Sequence, residues 1–378
     1  MKKIVVLFMV VALFVGCSNK EDKLFYFSSE DEFIANNEGL SDSAKLGKLI
    51  FFDKNLSNPV GTSCATCHSP MNGFSDPRHL AFSLGALNQP GTRNAPSISY
   101  AVFAPNLHTE VLRGVWEEVG GFFLDGRAEF LVRQPFEPMT KPTEMNMHDL
   151  QSIVKKVEAA SYFPLYKKLF GTPAPCDSQV VVFNLSLCLE KFEMSFQVNP
   201  FTSKFDFYLK GQYSFTEQEK RGMQLFNDST KAKCALCHLT TPTSYASTDK
   251  ILFTDYSYDN TGLPKNPLSK STAIDSGVAK AEMFVKIEEI GKFKTPTLRN
   301  VEISSPYMHS GIFTTLEQVM EFYNERDLNP KFAHPEVPAT VNKEDMGNLK
   351  LNQQEISDII AFLKTLTDGY KPIVKNKN

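Results

Sequence analysis

The chain has 378 residues, 42% of them apolar and 22% charged, with a formal net charge of −3. That balance suits a globular protein with a substantial core, long enough for two domains, and excludes a disordered or fibrous chain. It gives no sign of a nucleic-acid or polyanion partner.

The N-terminus reads as a targeting segment. Lys2-Lys3 precede an apolar run from Ile4 to Val15, then Gly16-Cys17. The run is too short to span a membrane as a mature helix and reads as a signal h-region over residues 1–16. Gly16-Cys17 resembles a bacterial lipoprotein cleavage site, with Phe14 where Leu is more usual. This predicts a mature protein that starts at a lipidated Cys17, anchored to a membrane of the periplasm or cell envelope. An ordinary signal peptide with an incidental Cys17 is the alternative. Residues 17–40 are polar and read as an extended tether or an early strap.

Helical patterning begins near Ser41-Asp42-Ser43, an N-cap candidate followed by Ala44, Leu46, Leu49 and Ile50 on one face. It leads through Phe51-Phe52-Asp53 to Cys64-Ala65-Thr66-Cys67-His68. A second pentapeptide, Cys234-Ala235-Leu236-Cys237-His238, lies 170 residues further on. Cys-x-x-Cys-His is the attachment signature of c-type haem. The two thiols add across the haem vinyl groups, and the histidine binds iron from the proximal side. A zinc or redox-dithiol site is the alternative for such a cluster. Two complete copies, in a chain with seven Cys and seven His, favour two covalent haem c groups. Cys64, Cys67, Cys234 and Cys237 then carry haem, and His68 and His238 bind iron.

The stretch between the motifs is punctuated by Gly and Pro. Residues 69–97 form a loop region holding His79, and helices are expected at about 147–158 and 178–197. Val198-Asn199-Pro200 reads as the domain boundary, with a helix from about Thr216 after it. A weak internal repeat matches Leu46-Gly47-Lys48-Leu49-Ile50-Phe51-Phe52-Asp53 to Arg221-Gly222-Met223-Gln224-Leu225-Phe226-Asn227-Asp228. Thr92-Arg93-Asn94-Ala95-Pro96 is echoed by Thr297-Leu298-Arg299-Asn300-Val301. Self-similar halves predict a mainly α fold: two cytochrome c-like haem domains in tandem, 41–200 and 201–370, joined by long irregular loops. Residues 239–280 read as a long polar loop. The last helix is expected over Gln353–Leu366, with Ile356, Ile359, Ile360 and Leu363 at helical spacing. Cys176 and Cys188 are left over, either as a disulfide or as two buried thiols.

Together these residues resemble the bacterial di-haem cytochrome c peroxidase and MauG superfamily, from about residue 41 to 368. The motifs that carry the resemblance are LGKLIFFD, SCATCH, GTRNAPS, FLDGRA, PTEM, CALCH and FKTPTLRNVEISSPYMHSG. It implies a peroxidase that reduces hydrogen peroxide with electrons from a small donor, a cytochrome c or cupredoxin. The N-terminal haem is then the peroxide site, and the C-terminal haem takes electrons and passes them inward. Glu144 matches the family's catalytic Glu and Gln134 the neighbouring pocket Gln. Asn94, with backbone carbonyls at Ser304 and Pro306, matches a calcium site, for which hard oxygen ligands suit. The blander readings are a solvated loop carboxylate for Glu144 and a turn-fixing role for Asn94. A homodimer is compatible with the resemblance.

Three departures bear on mechanism. Ala86 stands about where activation-dependent relatives carry a distal His, and His79 lies seven residues earlier, so an open iron is expected. Leu124 replaces the Trp usual between the haems, and Trp116 is eight residues away. The helix opening at Thr314-Thr315-Leu316-Glu317 reads as a capping box and presents Leu316, Val319, Met320 and Tyr323 on one face. Tyr323 stands fourteen residues after His309, where the resemblance places Met in the peroxidases and Tyr in MauG-like members; it is the expected sixth ligand of the C-terminal haem, with Met320 one turn earlier as the alternative. Two further functions stay open: a MauG-like oxidase acting on a protein, and a non-catalytic electron-transfer cytochrome.

Overall fold

The computed structural model describes residues 27–174, 177–280, 286–332 and 334–371. Cys17 and Cys176 lie outside them, and with Cys176 the question of its pairing. The helices are α1 Glu30–Ala35, α2 Asp42–Phe51, α3 Cys64–Cys67, α4 Phe136–Thr140, α5 Leu150–Ala159, α6 Phe163–Phe170, α7 Ser178–Glu193, α8 Lys204–Leu209, α9 Glu217–Asn227, α10 Leu316–Glu325 and α11 Gln353–Lys364. The strands are β1 His108–Leu112, β2 Val115–Val119, β3 Tyr258–Asp259 and β4 Phe293–Lys294. They form two antiparallel pairs, β1 with β2 and β3 with β4. The fold is mainly helical with few strands.

The repeated sequence octets build the same packing twice. Ser41 caps α2 by accepting from the Ala44 N–H, and Thr216 caps α9 in a reciprocal box with Glu219. α2 crosses α7 at Gly47, where an added Cβ would lie 1.8 Å from the Cys188 carbonyl oxygen. α9 crosses α11 at Gly222, where a Cβ would lie 1.9 Å from the Asp358 carbonyl oxygen. One turn further on, Phe51 meets Phe192 and Phe226 meets Phe362, each pair with ring centroids 5.2 Å apart. Only a missing side chain lets two backbones approach so closely, and the next turn then closes the gap with aromatic surface. One apolar cluster gathers around α2, α5 and α7, a second around α9, α10 and α11.

Four local readings are corrected. The 17–40 segment is not tether throughout. Ser29 caps α1, Phe33 is buried, and Lys48 Nζ donates to the carbonyls of Phe33 and Asn36 and to Gln197 Oε1. A buried ammonium needs such acceptors, and they pin α1 to the body. The helix expected at 178–197 stops at Glu193, with Asn199 Nδ2 donating to the Glu193 and Ser195 carbonyls. The capping box of α10 uses Thr315 and Gln318, one residue beyond the expected start. The 239–280 stretch is not all surface loop. Leu252, Phe253, Tyr256 and Tyr258 are buried, and Thr254 and Tyr258 satisfy their hydroxyls on the Thr295 and Gly120 carbonyls.

The β1–β2 hairpin was not anticipated. Its two-residue turn, Arg113-Gly114, has φ of 52° and 83°, the positive values that suit strand twist. Trp116 stands on β2, 73% exposed.

Candidate functional site

Both Cys-x-x-Cys-His motifs open a short helical turn. Cys64–Cys67 is α3, and Cys234–Leu236 is a single 3-10 turn. The His68 Nδ1 lies 3.1 Å from the Phe74 carbonyl, and the His238 Nδ1 lies 2.9 Å from the Phe253 carbonyl. A carbonyl accepts only, so each Nδ1 carries the proton and each Nε2 lone pair is left for a metal. Burial holds both imidazoles below their ordinary pKa, with the Phe74 and Pro96 carbonyls opposing it at His68, and Phe253 and Pro296 at His238.

The thiols do not sit in the environment of a redox dithiol. Burial pushes Cys64 and Cys234 up to about 12 and Cys67 up to about 11, and raises Cys237 as well. Exchange-active cysteines have depressed values. Among the described residues no three His, Cys, Asp or Glu side chains are arranged to hold a metal ion. What remains is a pair of thiols and an oriented imidazole on the wall of an apolar chamber. That donor set fits a haem c at each motif.

One continuous cavity of about 760 Å³ is lined by both motifs. Gln134 and Glu144 line its N-terminal half. Gln134 follows the 3-10 turn Leu131–Arg133, and Glu144 follows α4. Lys141 Nζ sits 3.0 Å from Glu144 Oε1. The Glu144 charge reaches His68, Cys64 and Cys67, acting on the ionisation of each. The Ala86 N–H donates to the Glu144 carbonyl at 2.7 Å, so this loop is fastened to the backbone of the acid. Ala86 and His79 do not line the cavity. His79 is exposed, with its Nδ1 2.9 Å from the Ser305 carbonyl.

Asn94, Ser304 and Pro306 all line the cavity. Asn94 Nδ2 donates to the Leu80 and Ala81 carbonyls, and its backbone N–H donates to His309 O. On the C-terminal side, Leu316, Val319, Met320 and Tyr323 of α10 line the wall. Burial raises the Tyr323 phenol, and the Cys237 and Cys234 thiols add to it. Its hydroxyl lies 3.9 Å from Met308 Sδ. Met320 is buried within the core around α9 to α11. Leu124 lines the cavity and Trp116 does not.

Some polar members of the site were missed from sequence. Arg93 is gripped by Asp125 at 2.7 Å and by both oxygens of Asp275 at 2.7 Å. Burial opposes ionisation of Asp275, yet the Arg93 bonds hold it down at about 2. His309 stacks on Phe293 with centroids 3.6 Å apart, and burial pushes it down to about 4. Glu193 lines the cavity near Cys64, and burial pushes it up to about 8. The Arg-Asn echo is out of register with the fold: the Pro96 and Pro296 carbonyls act alike on His68 and His238, which pairs Asn300 with Tyr100 rather than with Asn94, so the repeat signals none of these residues.

A family model for di-haem cytochrome c peroxidase matches residues 41–214. The chain is 32% identical to the methylamine utilization protein MauG of Paracoccus denitrificans, covering 88% of this chain and 90% of that protein. It is also 32% identical to the cytochrome c551 peroxidase of Nitrosomonas europaea, over 89% of this chain and 82% of that one. The crystal structure of the dihaem peroxidase BthA from Burkholderia thailandensis superposes with a TM-score of 0.78 at 30% identity, covering 86% of each chain. Membership implies two haem c groups. The chain belongs to the di-haem cytochrome c peroxidase and MauG family.

Proposed function

We propose that this protein reduces hydrogen peroxide to water, taking two electrons from a small redox protein such as a cytochrome c or cupredoxin. The observation that carries the reading is the shared cavity, which joins both Cys-x-x-Cys-His motifs to Glu144. Two haem domains, 41–200 and 201–370, divide the work. Each haem when bound supplies an iron that cycles between oxidation states and so stores electrons.

The chain's own residues do the rest. His68 and His238 hold iron with the proton fixed on Nδ1. Glu144 moves protons at the N-terminal site, because peroxide reduction consumes two protons with two electrons. Lys141 orients the Glu144 carboxylate, and Gln134 offers an amide beside it. His79 bonds Ser305 away from the cavity and would supply no ligand to the N-terminal iron. Asn94, Ser304 and Pro306 supply oxygen ligands for a calcium ion between the halves. Tyr323 would hold the C-terminal iron together with His238. Tyr323 and Met320 both line the cavity and both pack on the core around α9 to α11, and Tyr323 stands at the position fourteen residues after His309. Cys17 carries the lipid that tethers the mature chain to a membrane. No helix of the described residues is long and apolar enough to cross one.

A second reading, oxidation of a partner protein, is favoured by the same Tyr323. An oxygen ligand stabilises the ferric state and lowers the haem potential, which disfavours high-potential donors. Turnover of hydrogen peroxide with reduced cytochrome c or cupredoxin separates the two. Oxidation of the donor at two equivalents per peroxide supports the peroxidase. No donor oxidation, together with a covalently modified partner protein, supports the alternative.

A further inference from the structure

Leu124 lines the cavity between the motifs with an aliphatic side chain that cannot itself be oxidised, so an electron relay through a side chain has to use another residue. Four tyrosines line the cavity: Tyr100, Tyr256, Tyr307 and Tyr323. A tyrosine gives up an electron readily only if its phenolic proton can leave at the same time, since the radical cation is a strong acid. The proton acceptor therefore decides among them. Tyr256 OH has no hydrogen-bond partner among the described residues. Tyr307 OH donates to the Val301 carbonyl, a poor base. Tyr323 OH meets the Met308 sulfur. Tyr100 OH donates to the Asp368 carboxylate at 2.7 Å.

Tyr100 also sits where the two halves meet. It lies four residues after Pro96, whose carbonyl acts on His68. Its counterpart in the second half is Asn300, four residues after Pro296, whose carbonyl acts on His238. Both residues adopt a left-handed backbone, with φ of 64° and 62°. Both reach the same oxygen, for Asn300 Nδ2 donates to Asp368 Oδ2 at 2.9 Å. The Tyr100 hydroxyl further accepts from the Phe201 N–H at 2.9 Å, and the Arg299 guanidinium lies 5.0 Å from its ring. The ring is 1% exposed. Burial, then the nearby Asp368 charge, raises its pKa well above the ordinary value, so the phenol keeps its proton at rest. Burial raises Asp368 too, which makes it a better proton acceptor than a surface carboxylate.

We propose that Tyr100 is a redox-active relay between the two haem sites, with Asp368 as its proton acceptor. This rests on the peroxide-reducing reading. Tyr100 gives one electron to the peroxide-oxidised N-terminal haem site, and its O–H bond breaks as the proton passes to Asp368 Oδ2. The neutral tyrosyl radical then takes one electron from the reduced C-terminal haem and recovers the proton from Asp368. The Arg299 charge beside the ring keeps Tyr100 reduced until a strong oxidant is present.

The test uses the di-haem protein, with one equivalent of hydrogen peroxide and no donor, followed by rapid freezing and EPR. The wild type should show a tyrosyl radical, and Tyr100→Phe should lose it while keeping both haem spectra. In single-turnover stopped flow, re-reduction of the N-terminal site by the C-terminal haem should slow by about tenfold or more in Tyr100→Phe and in Asp368→Asn. Tyr162→Phe is the control, because that phenol also donates to a carboxylate, Asp53, at 2.7 Å but does not line the cavity. It should change neither readout. Wild-type radical and transfer rate in Tyr100→Phe overturn the relay. A wild-type protein whose haems do not react with peroxide at all overturns the underlying function instead.

Discussion

Lys141 Nζ lies 3.0 Å from Glu144 Oε1, so the carboxylate lining the N-terminal half of the cavity is held by an ammonium three residues earlier, at the extended end of α4. In the proposed reaction Glu144 is the acid–base group. Glu144→Gln should keep both haems and lose peroxide turnover by about 10² or more, the usual size of such a contribution. Steady-state turnover checks it, and a near-normal rate would move the role to Gln134 or a water. Lys141→Met should give a smaller loss.

The distal side of the N-terminal iron is the next point. His79 is tied to Ser305 outside the cavity, and Ala86 has no ligating atom. The ferric protein should therefore show one high-spin iron by EPR and react with peroxide without prior reduction. His79→Ala should change neither. Two low-spin signals in the resting protein, with a lag that His79→Ala abolishes, would show that His79 swings in.

The pentapeptides, the capped helices before them and the last amphipathic helix were legible because their signals are local. Ser41 and Thr216 mark their own helix starts, and His68 and His238 follow their cysteines directly. The Gly47–Cys188 and Gly222–Asp358 crossings were not legible, since nothing near Gly47 in sequence names its partner. The Tyr100–Asp368 bond joins residues 268 apart, beyond any periodicity. The hairpin escaped because no apolar alternation announces it: Val111, Val115 and Trp116 are exposed, and the buried end of β2 is Glu118-Val119. The Arg113-Gly114 turn was the signal available there.

Those glycine crossings carry a stability prediction. A methyl at Gly222 cannot be absorbed by a flexible side chain, because it meets the Asp358 backbone. Gly222→Ala should separate α9 from α11 and cost about 1–3 kcal/mol, the range for overpacking. Although alanine is the better helix former by about 1 kcal/mol, the clash should win. Thermal denaturation of the haem-loaded protein should show a lowered Tm; an unchanged or raised Tm would mean that the helices part at no cost.

The C-terminal iron decides between donors. Tyr323→Phe should alter the low-spin spectrum and raise that haem's potential, while Met320→Leu should leave both in place. A sulfur-to-iron charge-transfer band in the ferric wild type, lost in Met320→Leu, would reassign the ligand.

All of these depend on haem at both motifs, and intact mass tests that directly. The protein is produced in a host with c-type haem attachment machinery and measured under denaturing conditions, which leave only covalent groups in place. The mature chain should exceed its apo mass by two haems. The Cys234→Ala/Cys237→Ala double variant should exceed its own by one. A wild-type gain of one haem or none would contradict the account.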